Sequence, residues 1–284
     1  MSGSKHSPVY NRPKRQISNH LVLMAGSLFM CGPVVYAFWS TIAAGASVQG
    51  DWSIIETSKI FSSVYGRLLS SEPVFIGMPS VPDMMMNSWV TATGFALITV
   101  TISLTAAYAL TYFPVPRAGV VIMAIVATLY FPLETRILPT FLVADQLGLL
   151  NSRLGIILPL CATGIATLIF TITLRQMPDE LTEAAQLDGA NPIRFFMDFV
   201  LPIQLPIIMA VTALLFAIGW NQYLWPLMIA TSNHELSTVV RGIGQLGGAG
   251  HYQLALGIIA TVPPAIIGGI GLHIVQRGMI FETQ

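Results

Sequence analysis

The chain of 284 residues is 54% hydrophobic and only 9% charged, with a formal net charge of zero and a mean hydropathy of +0.71. A typical soluble domain has about 25% charged residues, so this composition excludes an ordinary water-facing surface. The lack of net positive charge excludes an electrostatic field that would hold nucleic acid. Cys31 and Cys161 lie in apolar runs without neighbouring metal ligands, so we expect neither a disulfide framework nor a metal site.

The distribution of charge predicts membrane-spanning helices. Four stretches, 84–116, 154–174, 199–234 and 242–276, contain no Asp, Glu, Lys or Arg. Each is long enough for a helix of about 20 apolar residues, which crosses about 30 Å of bilayer hydrocarbon. Lipid offers no hydrogen bonds to the backbone, so these stretches must be helical. With two further apolar runs they predict an all-α membrane protein with about six transmembrane helices, at 20–42, 84–111, 118–143, 154–174, 204–229 and 253–276.

The N-terminal residues 1–19 are polar and carry four cations, which predicts a disordered cytoplasmic tail. A basic tail before an apolar run is also typical of a signal peptide. The apolar run is too long for a cleaved segment and five more predicted spans follow, so we expect the transmembrane domain to occupy 20–280. The mixed residues 43–83 are expected to form a long loop outside the membrane.

The Lys and Arg residues predict the orientation, because cytoplasmic loops carry an excess of these cations. With the N-terminus inside, eight cations fall in inner segments and five in outer segments. Both termini and the segment 175–203 are then cytoplasmic, whereas the Gly-rich loop 230–252 is outside.

The third predicted span is interrupted by proline and charge. Pro132 precedes Glu134 and Arg136, and Pro139 follows. Either the helix ends near Pro132, or it continues kinked with two charges near the membrane edge.

The segment 177–202 predicts two short helices joined by a turn. Asp179 is expected to be the N-cap of the first helix, and Gly189 is expected to end it in a left-handed conformation. Asn191 is expected to cap the second helix, with a proline at its first position, and Pro202 to close it before the fifth span.

One face of this predicted hairpin suits a partner's cleft. Ala184 and Ala185 permit close backbone approach, and Glu183 can offer a carboxylate to a basic partner. From local chemistry alone, an ordinary surface loop between two spans is an equally good interpretation.

Three short motifs carry a family resemblance. Glu183-Ala184-Ala185, Asp188-Gly189-Ala190 and Leu201-Pro202 resemble, in composition and spacing, the EAA signature of inner-membrane subunits of binding-protein-dependent ABC importers. Over about 20–280 the chain is similar to the maltose-type sugar permeases. The resemblance implies a type I ABC importer permease fold in the bacterial inner membrane. The residues implied to couple the chain to an ATPase are Glu183, Ala184, Ala185, Asp188, Gly189 and Ala190.

The same resemblance implies the rest of the assembly. The expected partners are a homologous second permease subunit, two ATPase subunits and an extracytoplasmic substrate-binding protein. In that family the hairpin docks in a groove of the ATPase, and closure of the ATPase dimer rocks the spans.

Two further segments, 131–140 and 219–227, are similar to the smaller permease subunits of glycerol-3-phosphate importers. This similarity implies a path for glycerol-3-phosphate or a related glycerophosphodiester, with a sugar or oligosaccharide as the alternative. The candidate substrate-path residues are Arg136, Glu134, Trp220, Asn221, Gln222 and Tyr223.

The chain lacks the motifs of an ATPase. None of its three lysines follows a glycine, so it has no Walker A motif. The GxGxxG pattern at 242–247 follows no predicted strand, so we expect a flexible outer loop there and not a nucleotide site. We therefore expect no catalytic residue and no cofactor on this chain, with ATP and Mg²⁺ bound by the partner ATPase.

Two other classes fit the sequence less well. A self-sufficient secondary transporter would show inverted repeats and intramembrane acids, and neither is apparent. A membrane-embedded enzyme would need a constellation of His, Cys or paired acids, which the sequence does not contain.

Overall fold

The computed structural model describes residues 13–46, 62–73, 77–246 and 250–281. All regular secondary structure in these ranges is helical. The helices are α1 (Pro13–Ala46), α2 (62–68), α3 (Val81–Tyr112), α4 (Ala118–Leu129), α5 (Leu133–Gln146), α6 (Arg153–Ile157), α7 (Ile165–Leu174), α8 (Asp179–Leu187), α9 (Pro192–Phe195), α10 (Leu201–Trp220), α11 (Leu224–Ile229), α12 (Val239–Gln245) and α13 (His251–Phe281). Single 3₁₀ turns lie at Leu158–Cys161 and His234–Leu236.

Four helical stretches in the described ranges are long and apolar enough to cross a membrane, judged by length and composition. A fifth candidate is the pair formed by α6 with its 3₁₀ turn and α7, which is bent by 46°. This bent pair coincides with the predicted span 154–174. The four long stretches are Ile17–Thr41, Val81–Tyr112, Pro192–Trp220 and Tyr252–Gln276.

The predicted span 118–143 is two helices in the structure. α4 has 12 residues, so it is only about 18 Å long and too short to cross the hydrocarbon alone. Pro132 then takes an extended conformation (φ −55°, ψ 144°) as the N-cap of α5, where its missing N–H breaks no helical hydrogen bond. Of the two interpretations left open, the helix therefore ends near Pro132 and a second helix begins.

The fifth span begins earlier than expected, because Pro202 does not close the preceding helix. A π turn at Phe196–Val200 joins α9 to α10, and the N–H of Leu201 bonds the carbonyl of Phe196. This wider turn accommodates Pro202, whose ring would clash with the i−4 carbonyl of a regular helix. The result is one continuous helix of 29 residues from Pro192 to Trp220. α11 is a separate short helix beyond it.

The core lies where α10 packs between α3 and α13, with α7 on the other side of α3. Gly219 allows α10 to approach α3 closely, since a Cβ there would lie 2.7 Å from Phe95 Cδ1 and 3.1 Å from the Ala92 Cα. Trp220 closes this region against α13, because its Nε1 donates to the Ala260 carbonyl at 3.0 Å. The contact with the α3 backbone joins α3 and α10 into one packed pair.

Candidate functional site

The segment 177–202 contains two helices, but the first begins differently from the expectation. Pro178 holds the extended N-cap backbone of α8 (φ −61°, ψ 138°), and no side chain caps the helix. The prediction that Asp179 is the N-cap is therefore wrong, because Asp179 is already helical. Asp179 and Glu180 lie in the first turn, where negative charge stabilises the helix dipole.

The turn of the hairpin is the predicted glycine turn. Gly189 has a φ of +69°, and its N–H bonds the Gln186 carbonyl at 3.0 Å. The N–H of Ala190 bonds the Ala185 carbonyl at 2.9 Å. These two bonds form a Schellman motif, which satisfies the last carbonyls of α8 and fixes the direction of the chain beyond it.

The second helix is capped as predicted. The Asn191 Oδ1 accepts from the Arg194 N–H at 2.8 Å, and Pro192 takes the first helical position. Arg194 also pairs with Asp198 one turn further, with Nε and Oδ2 at 3.3 Å. Both members of this pair are exposed, so it adds little stability.

The hairpin has one exposed face and one packed face. Glu183 and Ala184 are exposed, whereas Ala185 is buried against the bundle. Leu187 and Ile193, on either side of the turn, are 89% and 76% exposed. Neither residue was among the predicted site residues, although an apolar side chain beside a polar turn is a signal that the sequence shows.

An aromatic cluster holds the packed face against the end of α3. The Tyr108 hydroxyl donates to the Pro192 carbonyl at 2.8 Å, and its ring lies 4.9 Å from that of Phe196. Tyr112 meets Phe195 edge to face, with centroids 5.2 Å apart. Aromatic pairs of this kind add about 0.5–1.5 kcal/mol each beyond area burial. The hairpin is therefore fixed to α3 as well as continuous with α10.

A cavity of about 550 Å³ lies among α5, α10, α11 and the turn 158–163. Its polar groups include Arg136, Thr140, Thr163 and Gln222, set among apolar side chains. The apolar lining is Phe95, Ile137, Val143, Ala144, Leu147, Leu149, Leu158, Pro159, Leu160, Ala162, Leu215, Ile218 and Trp225.

Some of the predicted substrate-path residues line the cavity and others do not. Arg136 and Gln222 line the cavity. Trp220 does not, because it is 1% exposed and packed in the core. Asn221 Nδ2 donates to the Ala217 carbonyl at 2.9 Å, and Asn221 is not among the residues that line the cavity.

The other two candidates also lie apart from the lining. Tyr223 is 38% exposed and its ring fills the space that Gly244 leaves, so that a Cβ at Gly244 would overlap it. The side chain of Glu134 lies outside the described residues.

A buried arginine lies on α12, near Tyr223. Arg241 on α12 is 2% exposed, and its Nε and Nη1 have no hydrogen-bond partner among the described residues. Burial lowers the pKa of Arg241, and the nearby Tyr223 phenol raises it by a smaller amount. The sequence places Arg241 in the predicted outer loop 230–252, and its burial was not predictable because it depends on tertiary packing.

Among the described residues, several helices long and apolar enough to span a membrane, an exposed hairpin and a cavity between helices are the features of a membrane permease. The chain belongs to the family of binding-protein-dependent transport system inner membrane components, which residues 59–281 match. It is thus a multi-pass inner-membrane transport subunit of an ABC importer, and not a catalytic one.

Relatives and a solved structure agree with this assignment. The chain is 33% identical over 281 residues to the sn-glycerol-3-phosphate transport system permease protein UgpE of Shigella flexneri serotype 5b, covering 96% of this chain and 98% of the relative. It is 30% identical to the UgpE protein of Agrobacterium fabrum, covering 97% and 99%. A bacterial ABC transporter involved in the import of the acidic polysaccharide alginate has the same fold. Its TM-score is 0.68 at 23% identity, covering 95% of this chain and 99% of that chain.

Proposed function

We propose that this chain forms half of a membrane path for glycerol-3-phosphate or a related glycerophosphodiester. The observation that carries the proposal is similarity over nearly the whole chain to permease proteins of sn-glycerol-3-phosphate transport systems. Arg136 in the cavity supports it, since a phosphate that crosses a low-dielectric region requires a cation on its path.

Uptake by the reconstituted importer tests the substrate. The complete complex in proteoliposomes, loaded with ATP, is offered labelled glycerol-3-phosphate, a glycerophosphodiester or a maltose-type sugar. We expect uptake of the phosphorylated compounds and their mutual competition. Uptake of the sugar alone would refute the substrate and leave the permease function intact.

The complete importer is proposed to need four further subunits. A homologous permease completes the path, two ATPase subunits bind ATP and Mg²⁺, and an extracytoplasmic protein delivers the substrate. The family name supports dependence on a binding protein. The lack of a Walker A motif supports a separate ATPase.

The hairpin is proposed to be the surface that the ATPase holds. Its exposed face offers a carboxylate at Glu183, a small side chain at Ala184 and the apolar Leu187 and Ile193. Large apolar side chains in contact with water favour burial by a partner. Gly189 sets the angle between this face and the continuous helix that follows. Asp188 and Ala190, which flank Gly189, complete the proposed coupling segment.

The proposed orientation places both termini and the hairpin in the cytoplasm. Gln176 and Gln245 are exposed and lie on opposite sides of the membrane in this arrangement. The test replaces both native cysteines by alanine and introduces a single cysteine at either position. The two cysteines should then differ in their labelling by a membrane-impermeant maleimide. In intact cells only position 245 should be labelled, and position 176 only after lysis. The opposite pattern would refute the orientation and the docking of a cytoplasmic ATPase at the hairpin.

A further inference from the structure

A second, smaller pocket lies between the hairpin and the end of α3, and its volume is about 150 Å³. Part of its lining is aromatic and comes from the end of α3 and from α9, namely Tyr108, Tyr112, Phe113 and Phe195. α8 contributes Thr182, Ala185 and Gln186. Sites for whole small molecules have volumes of about 300–1,000 Å³. This pocket is therefore too small for such a ligand and has the size of a single side chain.

The pocket borders the surface that the ATPase is proposed to hold. Residues three and four apart share one face of a helix, so Thr182, Ala185 and Gln186 form the face of α8 that lines the pocket. Glu183 and Leu187 form the neighbouring face, which is exposed. Gln186 is exposed as well, and it lies one turn from Glu183. A partner seated on Glu183 and Leu187 is therefore adjacent to the pocket.

The charge around the pocket favours a cation. α8 and the residue after it carry four acidic side chains and no Lys or Arg. The single Lys or Arg of the segment 177–202 is Arg194, which is already paired with Asp198. The pocket lies along the middle and the C-terminal end of α8, and the C-terminal end of a helix dipole is negative. The aromatic lining adds to this effect, because the faces of aromatic rings attract ammonium and guanidinium groups.

We propose that the pocket receives one arginine or lysine side chain of the ATPase when the ATPase docks at the hairpin. This inference rests on the proposed docking and adds the chemistry of a second contact beside Glu183. Arginine suits the pocket, since its planar guanidinium stacks on aromatic rings and donates to oxygens such as those of Thr182 and Gln186. A side chain held there contacts α3 and α8 together. Motion of the ATPase is thus transmitted to α3 directly, and not only through the hairpin turn and α10.

A change of charge at the edge of the pocket tests the sign of the occupant. The complex of the two permease subunits in nanodiscs is titrated with the purified ATPase, so the measurement needs no transported substrate. Gln186→Glu should raise the affinity and Gln186→Lys should lower it, each by up to about 5-fold. Gln176→Glu and Gln176→Lys are the matched controls and should have smaller effects, since Gln176 is exposed and does not line the pocket.

Filling the pocket from within tests whether anything enters it. Thr182→Phe places a ring in the space and should lower the affinity about 5- to 30-fold, the effect of losing a desolvated cation–π contact. Thr111→Phe is the matched control and should leave the affinity unchanged, because Thr111 is a half-buried threonine of α3 that does not line the pocket. Unchanged proteolysis of the hairpin in Thr182→Phe shows that the hairpin itself is intact.

Photo-cross-linking identifies the occupant. A benzoylphenylalanine in place of Phe113, which lines the pocket and is 46% exposed, should cross-link to an ATPase peptide that contains Arg or Lys. The same probe at Tyr130, 82% exposed and outside the lining, should not. Replacing the identified cation by methionine should reproduce the loss of Thr182→Phe, and the two losses should not add, because both remove one contact.

Several results would overturn the inference. Wild-type affinity of Thr182→Phe would show that the pocket stays empty, and equal losses in Gln186→Glu and Gln186→Lys would indicate an uncharged side chain. A cross-link from position 113 only to this chain would show that one of its own segments fills the pocket. Leu187→Ser separates these failures from failure of the docking itself, since Leu187 is exposed on the hairpin and does not line the pocket. If Leu187→Ser weakens the ATPase and the pocket variants do not, only the pocket is refuted; if neither does, the proposed docking fails too.

Discussion

Replacing Gly189 by valine is expected to uncouple ATP hydrolysis from uptake. Gly189 has a φ of +69° at the turn of the hairpin, and no atom lies within 4 Å of the place where its Cβ would be. An added Cβ therefore meets open space within this chain, and the cost that we expect is that of the left-handed backbone, about 1–2 kcal/mol. That cost lowers the population of the native turn about 5- to 30-fold. A docked ATPase would add the clash of a branched side chain.

Gly148 offers a matched control for the backbone cost. It has a φ of +66° and open space around it. It ends α5 with the same two hydrogen bonds, from Gly148 to Asp145 and from Leu149 to Ala144. Gly148→Val thus has the same conformational cost at a helix end outside the hairpin. Gly189→Asn should keep most of the function, because asparagine tolerates the left-handed region better than valine.

The assay measures ATPase co-purification and the ratio of uptake to ATP hydrolysis in proteoliposomes. Gly189→Val should lower the ratio or release the ATPase, while the permease still inserts into the membrane. Gly148→Val should keep the ATPase bound. Full association and wild-type uptake by Gly189→Val would refute the coupling role of the hairpin.

The remaining predictions concern single side chains. Glu183→Ala should weaken ATPase association less than Gly189→Val does, since a surface ion pair is worth about 0–1 kcal/mol and a buried one more. Titration of the permease complex with the ATPase measures both affinities, and a larger loss for Glu183→Ala than for Gly189→Val would contradict this order. Tyr108→Phe removes the hydrogen bond to Pro192 and should lower the free energy that holds the hairpin to α3 by about 0.5–1.5 kcal/mol. We expect faster proteolysis of the hairpin with unchanged membrane insertion, and unchanged proteolysis would show that the aromatic rings alone hold the hairpin. Arg136→Gln should raise the KM for glycerol-3-phosphate about 10-fold or more, and equal loss for a neutral solute would indicate a structural role instead.

The hairpin turn was predictable because its determinants are local. Gly189 and Asn191 act through their own backbone angles and a hydrogen bond three residues away. The helix end predicted at Pro202 was wrong because the π turn before it changes the hydrogen-bond register, and no residue in the sequence indicates that turn. The N-cap predicted at Asp179 was wrong because Pro178 itself adopts the extended N-cap conformation.

The lining of the cavity was less predictable than the spans. α10 is apolar around its whole circumference, so hydrophobic periodicity does not reveal which side faces protein, lipid or cavity. Trp220 and Gln222 are two positions apart, and only the packed structure assigns one to the core and the other to the cavity. Burial of Arg241 likewise depends on α12 folding against α3 and α13.

The continuous helix from Pro192 to Trp220 joins the hairpin to the cavity region as one rigid element. Its 29 residues span about 44 Å, so a tilt of about 5° displaces the far end by about 4 Å. One end begins at the hairpin turn and the other leads into the link that carries Gln222 and Tyr223. No loop interrupts this helix, and Gly219 near its far end packs directly against the α3 backbone. A tilt of this helix at the hairpin therefore moves the link beside the cavity, and α3, which packs along the helix, moves with it.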